Sequence, residues 1–527
     1  MTMKNNPYYW ELRQVQDAFG YYQKSENISD QIAAAYQKAS RYLSIASDEI
    51  FERYMTKHGL SETEARELIN QLTDKESLDE LLMKLRNATD PSKKELLKQL
   101  EAPAYQARLE RLRQLQNQMD LIMKNVYQQE LNISTSFYTD LANESYYRNI
   151  FNIQQRADAA FSFSYLSANQ INQVLNSKWS GENYSNRIWK NIKALSRTLK
   201  EELLVNLITG RTNREVSEII SNKFAQSASN ARRLVRTESN FISTEMNFKA
   251  YGDAGIEKYQ YLATLDLKTS ETCRELDGKI FLIKDRKTGI NCPPMHPWCR
   301  STTISVIDES LMEKMQRSAI DPATGKRIKV PRSMNYSQWY DKYVKGKPEV
   351  ELEEKKIKNR SSDREQHQRY QEILGDDVPK KLDDFQNLKY NNTEKWKYTK
   401  LDYKRQNELI EHPERKLPNA EDVILPDGKF TKYLFDGVHK EGLAKGAAFS
   451  SRLGYDISNW RELQNEIKHR ALKYPVTFKD NNGYGDRYEQ KIVVYGKNGT
   501  PANVVVGWMH KPNGDVTMSS AYIKEVK

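Results

Sequence analysis

The sequence predicts a mainly α-helical protein over its N-terminal two thirds, with a small β-rich Cys/His module set into it and a separate α+β domain with an antiparallel sheet after that. Three observations carry this expectation. From Asn6 to about Leu131, Gly and Pro are sparse and the strong helix formers Gln, Lys, Glu, Leu and Ala dominate. The only cysteines, Cys273, Cys292 and Cys299, fall in one short segment whose flanks are rich in β-branched and aromatic residues. Beyond Leu417, Gly/Asn turns alternate with β-branched runs.

A chain of 527 residues exceeds what one hydrophobic core usually organises, so several domains are expected. We place an extended helical arm or bundle at 1–135, a main domain at 136–345 with the Cys/His module at 259–307, a charged linker at 346–416 and an α+β accessory domain at 417–527. In the arm, Leu109, Leu112, Met119, Ile122 and Val126 recur at three- and four-residue spacing, which lines one helix face. Pro103 marks a break before that helix. Ser61 with Glu64 ahead of Leu68 reads as a capping box, and Pro91-Ser92 as another helix start. Gly210 to Asn213 reads as a turn into a helix, and Ala231 to Ala254 as helix. Tyr259 to Ala263, Lys279 to Ile283 and Ser301 to Val306 read as short strands. Pro322 to Val350 reads as irregular, and the dense charges after Glu349 as a solvated helix or linker.

The three thiols and His296 are spaced Cys-x18-Cys-x3-His-x2-Cys. Four soft or borderline donors in a short window suit tetrahedral zinc, and four protein ligands would make the site structural. Pro293, Pro294 and Pro297 restrict the backbone between the donors. The competing reading is three packed thiols beside a hydrogen-bonded His.

In full, the segment runs Asp266, Thr269, Ser270, Cys273, Asp277-Gly278, Phe281, then Cys292-Pro-Pro-Met-His296-Pro-Trp-Cys299-Arg300. This order resembles the phage Mu F-like minor head (head-morphogenesis) domain, with its Asp, Thr-x-x-x-Cys, Asp-Gly-x-x-Phe and Pro-Pro-x-His-Pro-x-Cys-Arg steps. Tyr9-Trp10-x-x-Arg13, Arg236-Thr237-Glu238 and Ser333-Met334-x-Tyr336-x-x-Trp339 are similar to further landmarks of the low-GC Gram-positive phage type. The resemblance covers about residues 5 to 345. It departs where some members carry a second Cys pair: Leu276 and Ser301 stand there. The fourth ligand is therefore Cys292 or Asp266, beside Cys273, His296 and Cys299. The resemblance implies a non-enzymatic minor capsid protein of a phage or prophage. Its partners would be portal, capsid or scaffold proteins, and its role procapsid assembly, DNA packaging or delivery. It would be made in the bacterial host cytoplasm and reside in the capsid interior of the virion.

The segment 417–523 resembles small domains fused to phage head proteins and polymorphic toxins, some of them barnase/EndoU/RelE-like nucleases. It is read as one clear helix, Asn459 to Leu472, followed by strands at Gln490–Tyr495, Ala502–Trp508 and Val516–Ile523. Metal-independent RNA cleavage needs a base, an acid and cations on the phosphate. His439, Lys445, Arg487, Thr517, Ser519 and Ser520 are the candidates, which makes RNA a partner and a virion-carried effector the alternative function. A formal net charge of +11 favours a polyanion nearby, such as phage DNA bound non-specifically. No apolar run is long enough to span a bilayer, and the first residues lack the apolar core of a secretory signal, so no membrane partner is expected.

Overall fold

The computed structural model describes residues 7–58, 103–157, 160–209, 213–306, 316–435 and 439–526. The chain divides into two compact units, Met1–Lys345 and Gly346–Lys527. The first is mainly helical with a small β-rich module, and the second is α+β with one antiparallel sheet.

The first unit is built on four long helices: α1 (Pro7–His58), α2 (Pro103–Ala157), α4 (Tyr184–Thr209) and α5 (Asn213–Asp253), with the short α3 (Ala168–Leu175) between. Along α1, Ile32, Tyr36, Ala39 and Leu43 are buried at alternating four- and three-residue steps. They meet Leu115, Met119, Met123 and Val126 of α2, and Ile220, Phe224, Val235 and Ile242 of α5, in one continuous core. Burial of such stripes, rather than propensity, holds long helices together. α2 runs unbroken through 135 and 136, so the arm does not end there: arm and main domain share one bundle. The capping box at Ser61 and the helix start at Pro91 lie outside the described residues, as do Gly210 to Thr212.

The module follows α5. Strand β1 (Lys258–Leu262) is central in a three-stranded antiparallel sheet, between β2 (Ile280–Leu282) and β3 (Thr302–Val306). A short helix α6 (Glu271–Leu276) precedes β2. Part of the stretch read as irregular is regular. β4 (Gln316–Ile320) and β5 (Arg327–Pro331) form a hairpin, and α7 (Tyr336–Tyr343) follows, capped by Asn335 with Trp339 fully buried.

The second unit corrects two expectations. The stretch 346–416, placed as a charged linker and read over its dense charges as a solvated helix or linker, carries three packed helices: α8 (Pro348–Leu374), α9 (Leu382–Asn391) and α10 (Thr393–Glu411). Their charges mask a small aromatic core, in which Tyr370 stacks on Tyr403 at 4.2 Å and Phe385 and Trp396 pack alongside. α10 also joins the sheet side of the unit, with Arg405 donating to Asn503 at 2.8 Å. The second correction is α11 (Lys440–Leu453), which precedes the anticipated helix α12 (Trp460–Ala471). Its glycines hid it from propensity. A Cβ at Gly446 would lie 1.7 Å from the Leu434 carbonyl oxygen, and one at Gly442 2.0 Å from that of Tyr433, so both are needed for α11 to press onto the turn Lys429–Leu434. The sheet is a meander of β6 (Val476–Asn481), β7 (Asp486–Tyr495), β8 (Pro501–His510) and β9 (Val516–Ile523). Its inner face buries Ile492, Val494, Val504, Val506, Trp508 and Met518 against Phe449, Leu453, Leu463 and Ile467. Among the described residues no helix is long and apolar enough to cross a membrane.

One polar group sits in the middle of the helical core. Glu130 of α2 is fully buried and accepts a hydrogen bond from the Tyr36 hydroxyl at 2.6 Å, while its other carboxylate oxygen has no partner. Burial pushes its carboxyl up to about 7. Because the folded carboxyl holds its proton more tightly than the unfolded one, stability is full below about pH 4 and falls as pH rises through 7. Glu130→Gln is therefore expected to remove most of that fall, a difference of up to about 3 kcal/mol between pH 4.5 and 8, read by chemical denaturation at the two pH values.

Candidate metal centre and its support

The site is assembled from two chain segments. Ser270 caps α6 by accepting from the Cys273 backbone N–H at 3.4 Å, which sets Cys273 in the first turn. The second segment is the proline-rich loop that carries His296 and Cys299 back toward β3. Trp298, inside this loop, has φ +66°, a left-handed conformation that is uncommon for a bulky residue. The loop lies against α5. The Trp298 backbone N–H donates to the Thr237 hydroxyl at 3.3 Å, and the Asn240 amide donates to the Cys299 and Ser301 carbonyls at 3.2 and 2.9 Å.

Donor atoms of Cys273, His296 and Cys299 all lie within 4.8 Å of one another. Cys273 Sγ is 3.4 Å from His296 Nε2 and 3.9 Å from Cys299 Sγ. Both cysteines are buried and His296 is half-buried. The other ring nitrogen, His296 Nδ1, faces the Pro297 carbonyl at 2.7 Å, which orients the imidazole with Nε2 toward the sulfurs. The Ser270 hydroxyl is 2.8 Å from Nε2, and the Tyr261 hydroxyl donates to Cys273 Sγ at 3.2 Å. Hydrogen bonds from Cys299, and from His296 and Ser270, hold the Cys273 thiol far down, at about 3. The same bond to Cys273, together with burial, pushes Cys299 up, and the bond to Cys273 raises His296. One thiolate shared among a thiol, an imidazole and two hydroxyls is a donor set that could hold a metal ion.

Cys292 does not join this set. It is fully buried in the core of the helical bundle, and burial pushes its thiol up to about 12. Asp266 is engaged elsewhere: Arg300 donates to its Oδ1 at 2.8 Å, and the Lys268 N–H at 3.0 Å. Although burial opposes it, Arg300 holds the Asp266 carboxyl below its usual range.

The remaining landmarks are braces. Arg236 lies between two rings, 4.2 Å from the centroid of Tyr22 on α1 and 4.5 Å from that of Trp298, and ion-pairs with Glu26 at 3.0 Å. Glu238, almost fully buried, accepts from Arg187 at 2.6 Å and from the Trp179 indole at 3.1 Å. Asp277 accepts from the Ala263 N–H at 2.7 Å and forms a forked pair with Arg317 at 2.9 and 3.0 Å. Gly278 takes the φ of +82° that the turn after it requires. Tyr336 donates to the Asp266 carbonyl at 2.9 Å. Arg187, Arg317 and Tyr261 escape sequence reasoning, because lone Arg and Tyr residues carry no spacing signal.

Residues 197–304 match the family model of Phage Mu protein F like protein. This Mu F-like domain begins within α4 and ends within β3, so it holds the Arg236-Thr237-Glu238 helix and the whole Cys/His loop. It links the chain to phage head proteins, and the match leaves out α1 and α2, on which it packs. Residues 416–525 match a second model, described as a domain of unknown function (DUF6883). The chain is also similar to NAD(+)--arginine ADP-ribosyltransferase EFV of Enterococcus faecalis (strain ATCC 700802 / V583), at 26% identity over 183 residues. That alignment covers 32% of this chain and 37% of the relative, so the chain spans little more than a third of it. No solved structure matches the chain.

The six catalytic candidates of the second unit separate into two groups. His439 and Lys445 flank Tyr433: the His439 ring is 5.8 Å from the Tyr433 ring, and Lys445 Nζ is 3.2 Å from its hydroxyl. Arg487 and Thr517 are both in register with Met509, which places them on the face of the sheet opposite Trp508 and Met518. There Arg487 is paired with Asp480, and Thr517 Oγ1 is buried. Ser519 and Ser520 crowd Gly507 at a bulge on that face. Lys445 Nζ also lies 5.7 Å from the ring centroid of Tyr522, which is in register with Val505 and so shares the face of Arg487 and Thr517.

For the metal centre the structure makes a discriminating expectation. Any metal that the purified full chain carries at this centre should be lost in Cys299→Ser and Cys273→Ser and kept at an unchanged metal-to-protein ratio in Cys292→Ser, as measured by elemental analysis.

Proposed function

We propose that this chain is a minor head protein of a phage or prophage, located near the portal on the capsid interior, which assists procapsid assembly, DNA packaging or delivery. The observation that carries the reading is the Mu F-like match over residues 197–304, in which each matched landmark has a structural task. Portal, capsid or scaffold proteins are its partners on this reading, and the net charge of +11 suits non-specific contact with packaged DNA. It is synthesised in the host cytoplasm and carried in the virion. Expressed from its phage with an epitope tag, it should sediment with procapsids and with DNA-filled heads, and co-purify with portal. Recovery only in the soluble fraction would sink the reading.

On the same reading the Cys/His loop binds zinc in a structural role. A tetrahedral zinc with bonds of about 2.3 Å to sulfur and about 2.0 Å to nitrogen separates its ligands by about 3.8 Å (S to S) and about 3.5 Å (S to N). The separations here, 3.9 and 3.4 Å, fit that geometry before any rearrangement. Cys273, His296 and Cys299 would hold the ion, with the Ser270 hydroxyl rather than Cys292 or Asp266 closest to completing the set. Two thiolates neutralise the divalent charge, which suits a buried site.

A second reading is favoured by one observation. The similar Enterococcus chain is named as an ADP-ribosyltransferase, and the second unit here has a core of its own. A Mu F-like body that carries an effector into the host would account for both. Its nuclease form would use His439, Lys445, Arg487, Thr517 and Ser519, of which His439 and Lys445 meet at Tyr433 while Arg487 pairs with Asp480.

A further inference from the structure

Around Tyr433 the second unit gathers positive charge that no carboxylate among the described residues pairs with. Lys445 Nζ lies 3.2 Å from the Tyr433 hydroxyl and over two rings, 5.4 Å from the centroid of Tyr433 and 5.7 Å from that of Tyr522. Lys429 Nζ lies 5.9 Å from the Tyr433 centroid on the same ring system, and the His439 imidazole 5.8 Å away. Lys432 and Lys440, both exposed, belong to the same turn and helix start. Among the described residues none of these four lysines has a carboxylate within ion-pair distance. Several other cations of the unit are paired, Lys416 with Glu421, Arg452 with Glu394, Arg487 with Asp480 and Lys497 with Glu462, and what sets this group apart is its gathering around tyrosine rings. The nearby Asp427 is occupied by the Gln464 amide at 3.0 Å.

The patch is also rigid. Gly442 and Gly446 bring α11 so close to the turn Lys429–Leu434 that any side chain there would strike a backbone carbonyl. Tyr433 is therefore fixed between the turn and the helix, half-buried, with Lys445 and Tyr522 half-buried beside it and His439 exposed at the rim. Partly open aromatic faces set among unpaired ammonium groups meet the two demands of a nucleic-acid strand. Bases stack on rings in a sequence-tolerant way, and phosphates take the lysines. An acidic protein surface would use the lysines and leave the rings idle. A lipid surface would need an apolar edge to insert, and the patch offers polar phenols.

We propose that Tyr433, Tyr522, Lys429, Lys445 and His439 form a binding site for single-stranded nucleic acid. The site needs no catalysis and uses neither Arg487 nor the hydroxyls of Thr517, Ser519 and Ser520; Tyr522, in register with Val505 on their face of the sheet, is met by Lys445 at the edge strand β9. It is also independent of capsid association, so failure of the virion reading would leave it standing.

The test uses the full-length protein and fluorescein-labelled single-stranded DNA and RNA of one mixed sequence, about 12 nucleotides long, within the span such sites cover. Fluorescence polarisation is recorded over a series of salt concentrations. Replacing both cations (Lys429→Gln with Lys445→Gln) should flatten the slope of log affinity against log salt by about 1.4, at about 0.7 for each single-strand phosphate that a lysine no longer neutralises. A purely structural role for these lysines would leave the slope unchanged. Tyr522→Ala should weaken binding by roughly 5- to 160-fold, the range for loss of one stacked base. Arg487→Gln should bind as wild type does. Weakening on both strands identifies a general single-strand site, and weakening on one identifies that strand as the ligand. Two results would overturn the proposal: unchanged slope and affinity in the double variant, or an effect confined to binding of phosphatidylglycerol vesicles.

Discussion

The cation at Arg236 holds the first unit's parts in register. The Cys/His loop buries Cys299 in a small cluster with Cys273, Tyr261 and Ala263, and Cys292 in the helical core. Between these two apolar points it is held by the face of α5, where Arg236 stacks on Trp298, Thr237 accepts from the loop backbone, and Asn240 ties down two of its carbonyls. The other face of Arg236 meets Tyr22 and Glu26, so the long α1 helix is joined to the same point. Arginine suits this place because a planar guanidinium can stack on two rings and still pair with a carboxylate. The left-handed backbone at Trp298 follows: the ring must turn back over Arg236 while His296 and Cys299, on either side, face Cys273.

Much of this is legible in the sequence, since the landmarks occur in order and each residue type suits its task. Asp266 and Arg300, at opposite ends of the motif, pair with each other, and Asp277-Gly278 makes a turn that only a left-handed glycine completes. Spacing cannot say which side of the backbone a thiol faces. Cys292 sits at ligand-like distance along the chain, yet its side chain enters the helical core. In the second unit, the sequence around α8 to α10 reads as solvated charge because Tyr370, Phe385, Trp396 and Tyr403 are widely spaced among Lys and Glu, and their convergence is a tertiary event. α11 is hidden for the opposite reason: its glycines, costly to an isolated helix, are what let it pack. The nuclease candidates share a residue chemistry, but His439 and Lys445 meet at Tyr433 whereas Arg487 pairs with Asp480.

The two units present different kinds of surface chemistry. In the first, buried Arg and Asp residues are largely spent on holding loops to helices, as Arg317 is on Asp277 and Arg187 on Glu238. In the second, a rigid corner of the fold leaves lysines unpaired beside tyrosine rings. A structural body and a ligand-facing appendage are a division of labour consistent with a head protein that carries a further module.

If α5 holds the Cys/His loop through Arg236, the metal binding proposed for that loop must depend on this one cation. Metal retention by the full-length Arg236→Ala variant against a titrated chelator probes the dependence without an intermediate step. Wild type and Arg214→Ala serve as comparisons, since the exposed Arg214 guanidinium of the same helix pairs with Glu218. Arg236→Ala is expected to release metal at chelator concentrations that leave both comparison proteins loaded. Retention equal to wild type would mean that the loop keeps its geometry without the cation, and that Arg236 is not what holds it.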